Sequence, residues 1–216
     1  MKKQVKNNAV KKSSPARTHQ VRIIGGTWKR TPLAVPDAEG LRPTPDRVRE
    51  TVFNWLGHLL DANWAPVSCL DFFAGSGALG FEAASRGARS VTMIENFGPA
   101  IRLLEATKQK LQADSVNIIR GDALAIAQDM ATRKASMGSM AAVDLIFLDP
   151  PYHHDWLPRM LPLCAQLLAP DGLVYVEAEQ SLSGENLPDW MTPWEVVRAD
   201  QAGLVFYHLM RRKNSA

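Results

Sequence analysis

The sequence predicts an α/β fold: a mostly parallel, seven-stranded sheet covered by helices on both faces and finished by an antiparallel C-terminal hairpin. Three observations carry this reading. From residue 67 onward, short β-rich apolar runs recur as VSCLDFF, SVTMIE, VNIIRGD, VDLIFLD and GLVYVEAE. Segments of helical character such as ALGFEAASRG and GPAIRLLEATKQKLQ lie between the first four, and strand alternating with helix at this spacing builds βαβ units. The last two apolar runs, WEVVRAD and LVFYHLM, are joined only by Gln201-Ala202-Gly203. A parallel crossover needs about a dozen residues or more, so these two strands must run antiparallel.

Taken in chain order, residues 1–19 hold almost no apolar side chain and read as a disordered basic tail. Residues 20–60 form an N-terminal extension. In it, VRIIGGTWKRTPL alternates around Gly25-Gly26 as a short hairpin, and Pro36 to Pro43 is a loop by its Pro, Asp and Gly content. A helix then starts at Thr44, a good N-cap, with Pro45 suited to the first helical position. Val48, Val52, Trp55, Leu56 and Leu59 give that helix an apolar face, and Arg47, Glu50, Thr51, Asn54 and His58 a polar stripe. Residues 61–216 make up the main α/β domain. The near-continuous apolarity of its strands fits a sheet buried on both sides. Within it, residues 128–142 (QDMATRKASMGSMAA) are small and weakly patterned, which predicts a helix end followed by a mobile loop.

Composition narrows the class of protein. The chain has 216 residues, 46% of them hydrophobic, enough for one well-packed domain with a small accessory segment. No apolar run approaches the roughly 20 residues needed to cross a bilayer, and the lysine-rich N-terminus lacks the apolar stretch of a secretory signal. Cys69 and Cys164 both sit in apolar surroundings and read as core thiols in a reducing cytoplasm, not as a metal site. The net charge of +3 hides an asymmetry. Nine of the 25 basic residues fall in residues 1–36, which contain no acid, leaving 16 against 22 acids in the rest. A basic arm on an acidic body suits a polyanion partner, because each neutralised phosphate releases counterions.

Ligands of doubly wound sheets bind beyond the carboxyl ends of the strands. The first of these strands ends in Asp71-Phe72-Phe73-Ala74-Gly75-Ser76-Gly77-Ala78-Leu79-Gly80. Gly75 and Gly77 let backbone approach a ligand closely, and the following helix offers its N-terminal amides. The same glycines fit the dinucleotide fingerprint, so a dinucleotide and S-adenosylmethionine both come into question. Glu95, 20 residues after Gly75, can accept from the hydroxyls of a ribose in either ligand. Asp71 discriminates: its charge is unwelcome beside a pyrophosphate and favourable beside the ammonium and sulfonium of S-adenosylmethionine. Asp122, next to Ala123, can accept from an adenine amino group or cap the following helix. Phe73 and Ala123 complete the expected cofactor contacts.

The fourth strand ends in Asp149-Pro150-Pro151-Tyr152. Two prolines stop the strand ladder and hold an extended, rigid turn. The Asp149 carboxylate and the Pro150 carbonyl are then two converging acceptors beside the Tyr152 ring. Such a set suits a flat group bearing NH2, and a nucleobase with an exocyclic amine fits it. Asp149, Pro150 and Tyr152 are therefore the candidate catalytic residues, with Pro151, Arg42, Arg47, Arg49, Lys29 and Arg30 as candidate substrate contacts.

Together, the Asp71 glycine loop, Glu95, Asp122 and DPPY resemble the Rossmann-like S-adenosylmethionine-dependent (class I) amino-methyltransferases, whose motif here is (D/N/S)PP(Y/F). The stretch RIIGGTWKR followed by GLRPTPDRVRETVFNWL is similar to the RsmD family of bacterial 16S ribosomal RNA guanine-N2 methyltransferases. The resemblance runs from about Val21 to the final hairpin, leaving out the basic tail and residues 128–142. It implies methyl transfer from S-adenosylmethionine to N2 of one guanine in 16S rRNA, within a 30S subunit or an assembly intermediate. It further implies a cytoplasmic, monomeric enzyme without metal or membrane association. Rival readings are a DNA adenine-N6 methyltransferase, a protein glutamine-N5 methyltransferase and a non-catalytic RNA-binding assembly factor.

Overall fold

The structure, a computed structural model, describes residues 21–36, 44–137, 142–152, 154–185 and 187–213. The basic tail and Arg42 lie outside the described residues. The N-terminal hairpin is short: β1 (Val21–Arg22) pairs antiparallel with β2 (Pro32–Leu33) in the register Val21 to Leu33 and Arg22 to Pro32. Helix α1 (Asp46–Leu59) follows. The main sheet consists of β3 (Ser68–Asp71), β4 (Ser90–Glu95), β5 (Val116–Arg120), β6 (Val143–Leu148), β7 (Leu168–Ala178), β8 (Trp194–Ala202) and β9 (Val205–Arg212). The connecting helices are α2 (Ala78–Ser85), α3 (Gly98–Leu111), α4 (Ala123–Met137) and α5 (Trp156–Leu167).

Spatial order across the sheet is β5-β4-β3-β6-β7-β9-β8. Strands β3 to β7 are parallel, and β9 pairs antiparallel with both β7 and β8. The predicted seven strands and closing hairpin are thus present. The chain steps outward from β3 to β5 and then returns to place β6 on the opposite side of β3. That reversal leaves a crevice at the carboxyl ends of β3 and β6, where ligands of such sheets bind.

Two cores cover the two faces. One unites hairpin and α1 residues (Ile23, Val52, Phe53, Leu56) with Phe81, Phe147 and Tyr175; the other packs Ala127, Ala131, Leu161 and Cys164 against Ile146, Leu148 and Val174. Phe53 is fully buried, its ring 5.7 Å from Trp64 and 5.9 Å from Phe147. Burying such a side chain is worth about 1.5–3 kcal/mol and fixes α1 to the sheet. Both cysteines are buried, free thiols.

Two local expectations change. The buried face of α1 is Val48, Arg49, Val52, Phe53 and Leu56, while Leu59 is exposed. Helix α1 begins one residue later than Thr44 would set it, because the Thr44 side chain caps nothing and turns toward two carboxyl groups instead. As expected, residues 128–137 form the end of α4, which stops at Met137; the expected loop falls largely on residues 138–141, outside the described residues. Alanine carries that helix end despite its weak patterning: Ala127 and Ala131 are small enough to pack closely, and alanine has the highest helix propensity.

The hairpin loop docks on the C-terminal turn of α2. Glu82, fully buried, accepts from the Ile24 and Gly25 amides at 2.6 and 2.8 Å and from the Arg86 guanidinium at 2.8 Å. The Thr27 amide donates to the Ser85 carbonyl at 2.7 Å. Gly26 is required by this contact: its φ is +73°, and a Cβ there would lie 1.8 Å from the Ser85 carbonyl oxygen.

Candidate active site

Every predicted acid stands at the carboxyl edge. Asp71 closes β3 and pairs in register with Met93 of β4 and Phe147 of β6. Glu95 closes β4, and the Gly121 amide donates to its carbonyl at 3.0 Å, which brings Asp122 to the same edge. Asp149 follows the last residue of β6. The register Leu148 to Val176 then puts Glu177 of β7 beside Asp149.

The glycine loop is shaped by its own acids. Glu95 Oε2 accepts from the Gly75 amide at 2.7 Å, and Oε1 accepts from the Asn96 and Phe97 amides at 2.8 Å each. Three amides occupy most of the carboxylate, so Oε2 holds the room for one further hydroxyl. Gly75 has φ +52° and a Cβ there would meet nothing nearer than 4.0 Å, so this glycine faces open space. At Gly77 (φ +77°) a Cβ would strike Leu104 and Phe81 at 2.6 Å, so that glycine serves packing under α2. Asp122 Oδ1 accepts from the Ala125 amide at 2.9 Å and so caps α4, while remaining exposed; Ala123 beside it is buried. Phe73 packs edge-to-face on Trp156, with centroids 5.1 Å apart.

Asp71 is 1% exposed. Its Oδ2 accepts from the Gly80 amide at 3.2 Å, whereas Oδ1 has no hydrogen-bond partner among the described residues. Burial pushes its carboxyl up to about 7, against the pull of the nearby Phe73 and Gly80 amides. A buried acceptor without a donor, next to a loop facing open space, fits a ligand that brings a cationic N–H group.

The second half of the site is a cluster the sequence only partly foretold. Thr44 Oγ1 lies 3.1 Å from Asp149 Oδ2 and 2.8 Å from Glu177 Oε1. The Tyr175 hydroxyl donates to Glu177 Oε1 at 2.8 Å. Glu177 is 4% exposed, and Asp149 is half-buried. Burial, then the neighbouring Glu177 charge, raise the Asp149 carboxyl well above the usual carboxylate range, while the Thr44 hydrogen bond works against them. Pro150 is buried, Pro151 exposed and Tyr152 half-buried. Among the described residues no backbone amide donates to the Pro150 carbonyl.

Arg49 is not a phosphate contact. It is fully buried and donates to Asp46 Oδ1 at 2.6 Å, the Arg22 carbonyl at 2.8 Å and the Thr44 carbonyl at 3.4 Å. It therefore ties the hairpin and the segment bearing Thr44 to α1. Arg47, Lys29 and Arg30 are exposed, as a role against phosphates requires, and Arg30 has φ +72° in the hairpin turn. Thr44, Tyr175 and Glu177 were missed as site residues. Glu177 had a signal, an acid at the carboxyl end of a strand; Thr44 had none, because Thr-Pro before a helix reads as a cap.

A sheet of this order, with a glycine loop after β3 and an Asp-Pro-Pro-Tyr turn after β6, defines a Rossmann-like methyltransferase. Comparison with known proteins is more particular. The family model described as Conserved hypothetical protein 95 matches residues 21–211. Ribosomal RNA small subunit methyltransferase D of Escherichia coli is 36% identical over 206 residues, covering 94% of this chain and 96% of that protein. The Haemophilus influenzae protein of the same name is 36% identical over 201 residues, covering 91% and 96%. A solved Escherichia coli structure matches with a TM-score of 0.73 at 36% identity, over 91% of this chain and 99% of that one. The chain belongs to the ribosomal RNA small subunit methyltransferase D family.

Proposed function

We propose that this protein transfers the methyl group of S-adenosylmethionine to the exocyclic N2 amino group of a guanine in 16S rRNA, in the small subunit or an assembly intermediate of it. The observation that carries the reading is the pair of acceptors after β6, the Asp149 carboxyl and the Pro150 carbonyl, on the same sheet edge as the orphaned Asp71 Oδ1. Family membership supplies the RNA, since the relatives in Escherichia coli and Haemophilus influenzae carry rRNA in their names.

S-adenosylmethionine, when bound, supplies a methyl group already activated by its sulfonium. Asp71 Oδ1 and the loop at Gly75 hold the cationic end of the donor, Glu95 Oε2 a ribose hydroxyl, and Asp122 with Ala123 the adenine. Asp149 and the Pro150 carbonyl accept the two N–H groups of the target amine, and Tyr152 stacks on its base. The guanine amine is a weak nucleophile because its lone pair is delocalised into the ring, so alignment is the main task. Well-oriented positioning is worth about 7–11 kcal/mol. As the nitrogen attacks it gains positive charge, which oriented acceptors stabilise without reorganising. Arg47, Lys29 and Arg30 hold phosphates around the extruded base. The reaction is that of a cytoplasmic enzyme; no helix among the described residues is long and apolar enough to cross a membrane.

The test is a panel. The protein is incubated with methyl-labelled S-adenosylmethionine and, separately, naked 16S rRNA, undermodified 30S particles, duplex DNA and release factors. Label is expected in the rRNA of one of the first two. Label only in DNA or in a release-factor glutamine overturns the reading in favour of those amine or amide targets.

A further inference from the structure

Arg159 is exposed yet held in place. It stands in the first turn of α5, which begins just beyond the Asp149-Pro150-Pro151-Tyr152 turn. Its guanidinium carbon lies over the Trp156 ring, 5.2 Å from the centroid. The two residues are neighbours at i and i+3, and a long helical side chain leans back toward the helix N-terminus. The Arg159 head is therefore carried toward the carboxyl edge of the sheet, where Asp149 stands. Trp156 is seated in turn on the glycine loop, packing edge-to-face with Phe73 at a centroid distance of 5.1 Å.

How the guanidinium is held decides what it can do. Arg22, Arg49, Arg86, Arg133 and Arg211 each pair with a carboxylate, which offsets their charge and takes up N–H donors. Arg159 pairs with no carboxylate among the described residues, not even the exposed Asp155 at the start of the helix. A ring face attracts the cation without taking a hydrogen bond from its edge. The N–H groups of that edge stay available, in a planar fork that matches a phosphate. A free arginine gives up side-chain freedom when it binds, and the ring has already removed part of that freedom here.

We propose that Arg159 is a further substrate contact, which binds an RNA phosphate beside the target base, and that Trp156 is the positioning residue that holds its guanidinium there. The inference rests on RNA being the substrate. Leu161 and Cys164 place α5 on one face of the sheet; Val52, Phe53 and Leu56 place α1, with Arg47 in its first turn, on the other. Asp149 lies at the edge between them, touched from the α1 side by Thr44. An extruded nucleotide carries a phosphate on each side of its sugar. A cation on each face holds both phosphates while the base turns into the edge. Phosphate contacts carry no base information, so Arg159 sets register and not the choice of base.

The test is binding of naked 16S rRNA and, in parallel, of undermodified 30S particles by the full-length protein over a range of salt concentrations. Calorimetry of S-adenosylmethionine is the control. Arg159→Gln should lower the slope of log affinity against log salt by about 0.7–0.9, the share of one phosphate, and leave S-adenosylmethionine affinity unchanged. Trp156→Leu keeps the charge but frees the guanidinium, so it should keep the slope and weaken RNA binding about two- to tenfold. Trp156→Phe retains a ring face and should bind RNA nearly as the unaltered protein does. In an Arg159→Gln background, Trp156→Leu should cost RNA binding nothing further. An unchanged slope in Arg159→Gln, or a loss of S-adenosylmethionine affinity in its place, overturns the phosphate contact. A loss from Trp156→Leu that is as large without the arginine as with it refutes the positioning role. Failure of the unaltered protein to bind either RNA would instead remove the substrate reading, and this contact with it.

Discussion

Asp71 carries an electrostatic cost that a cationic ligand removes. Its folded-state value near 7 stands above the ordinary 3.8, so the folded, ligand-free protein binds this proton more tightly than the unfolded chain does. The associated stability is fully present below about 4 and is lost as pH rises through about 7. The raised Asp149 acts in the same sense. The melting temperature of the ligand-free protein should therefore drop between about pH 5 and about pH 8, and Asp71→Asn should reduce the drop. Binding of S-adenosylmethionine has the opposite dependence, because its ammonium pairs with the ionised form. Calorimetry should show affinity weakening about tenfold per pH unit below the Asp71 titration, with proton release on binding; a pH-independent affinity would remove Asp71 from the donor site. Asp149 gives a second test. If it acts chiefly by accepting hydrogen bonds, Asp149→Asn, which keeps one acceptor oxygen, should retain measurable methyl transfer where Asp149→Ala loses about a hundredfold or more. Equal loss in the two variants would make Asp149 an obligatory base.

The elements show what local sequence can and cannot specify. Strands β3 to β7 were legible because their apolar runs are nearly continuous, and the closing hairpin because three residues cannot span a parallel crossover. The acids Asp71, Glu95, Asp122 and Asp149 were legible for a related reason: strand ends are where such sheets bind ligands. What stayed hidden depends on contacts between segments distant in sequence. Thr44 is separated from Asp149 by 105 residues and from Glu177 by 133, and no local pattern marks that meeting. Arg49 is hidden likewise, since an arginine one turn into a helix reads as solvated until Asp46 and two carbonyls are seen to enclose it. The hairpin was expected, but not its seat on α2. That seat predicts that Gly26→Ala, which must clear 1.8 Å to the Ser85 carbonyl from a left-handed conformation, costs about 1–3 kcal/mol of unfolding free energy. Hydrogen exchange should show the Ile24 and Gly25 amides losing protection in that variant; unchanged protection would mean that the loop is held elsewhere.

At the scale of the whole molecule, one sheet edge brings together a proposed donor half, around Asp71 and Glu95, and a proposed acceptor half, around Asp149. The N-terminal extension is integral to the acceptor half, because Arg49 holds the segment that delivers Thr44. The role proposed for the basic arm is long-range attraction to RNA. Six of the basic residues precede Thr18, and each phosphate they neutralise should add about 0.7–0.9 to the slope of log affinity against log salt. RNA binding by the full chain should thus fall more steeply with salt than binding by a chain beginning near Thr18; identical slopes would show that the arm does not reach RNA. The central claim is that the edge delivers a methyl group to a guanine amine held by Asp149. Its most direct test is nucleoside analysis of 16S rRNA from undermodified 30S particles after incubation with S-adenosylmethionine and either the unaltered protein or Asp149→Ala. N2-methylguanosine should appear with the unaltered protein and be lost with the variant; N6-methyladenosine in its place, or N2-methylguanosine undiminished by Asp149→Ala, would contradict the account.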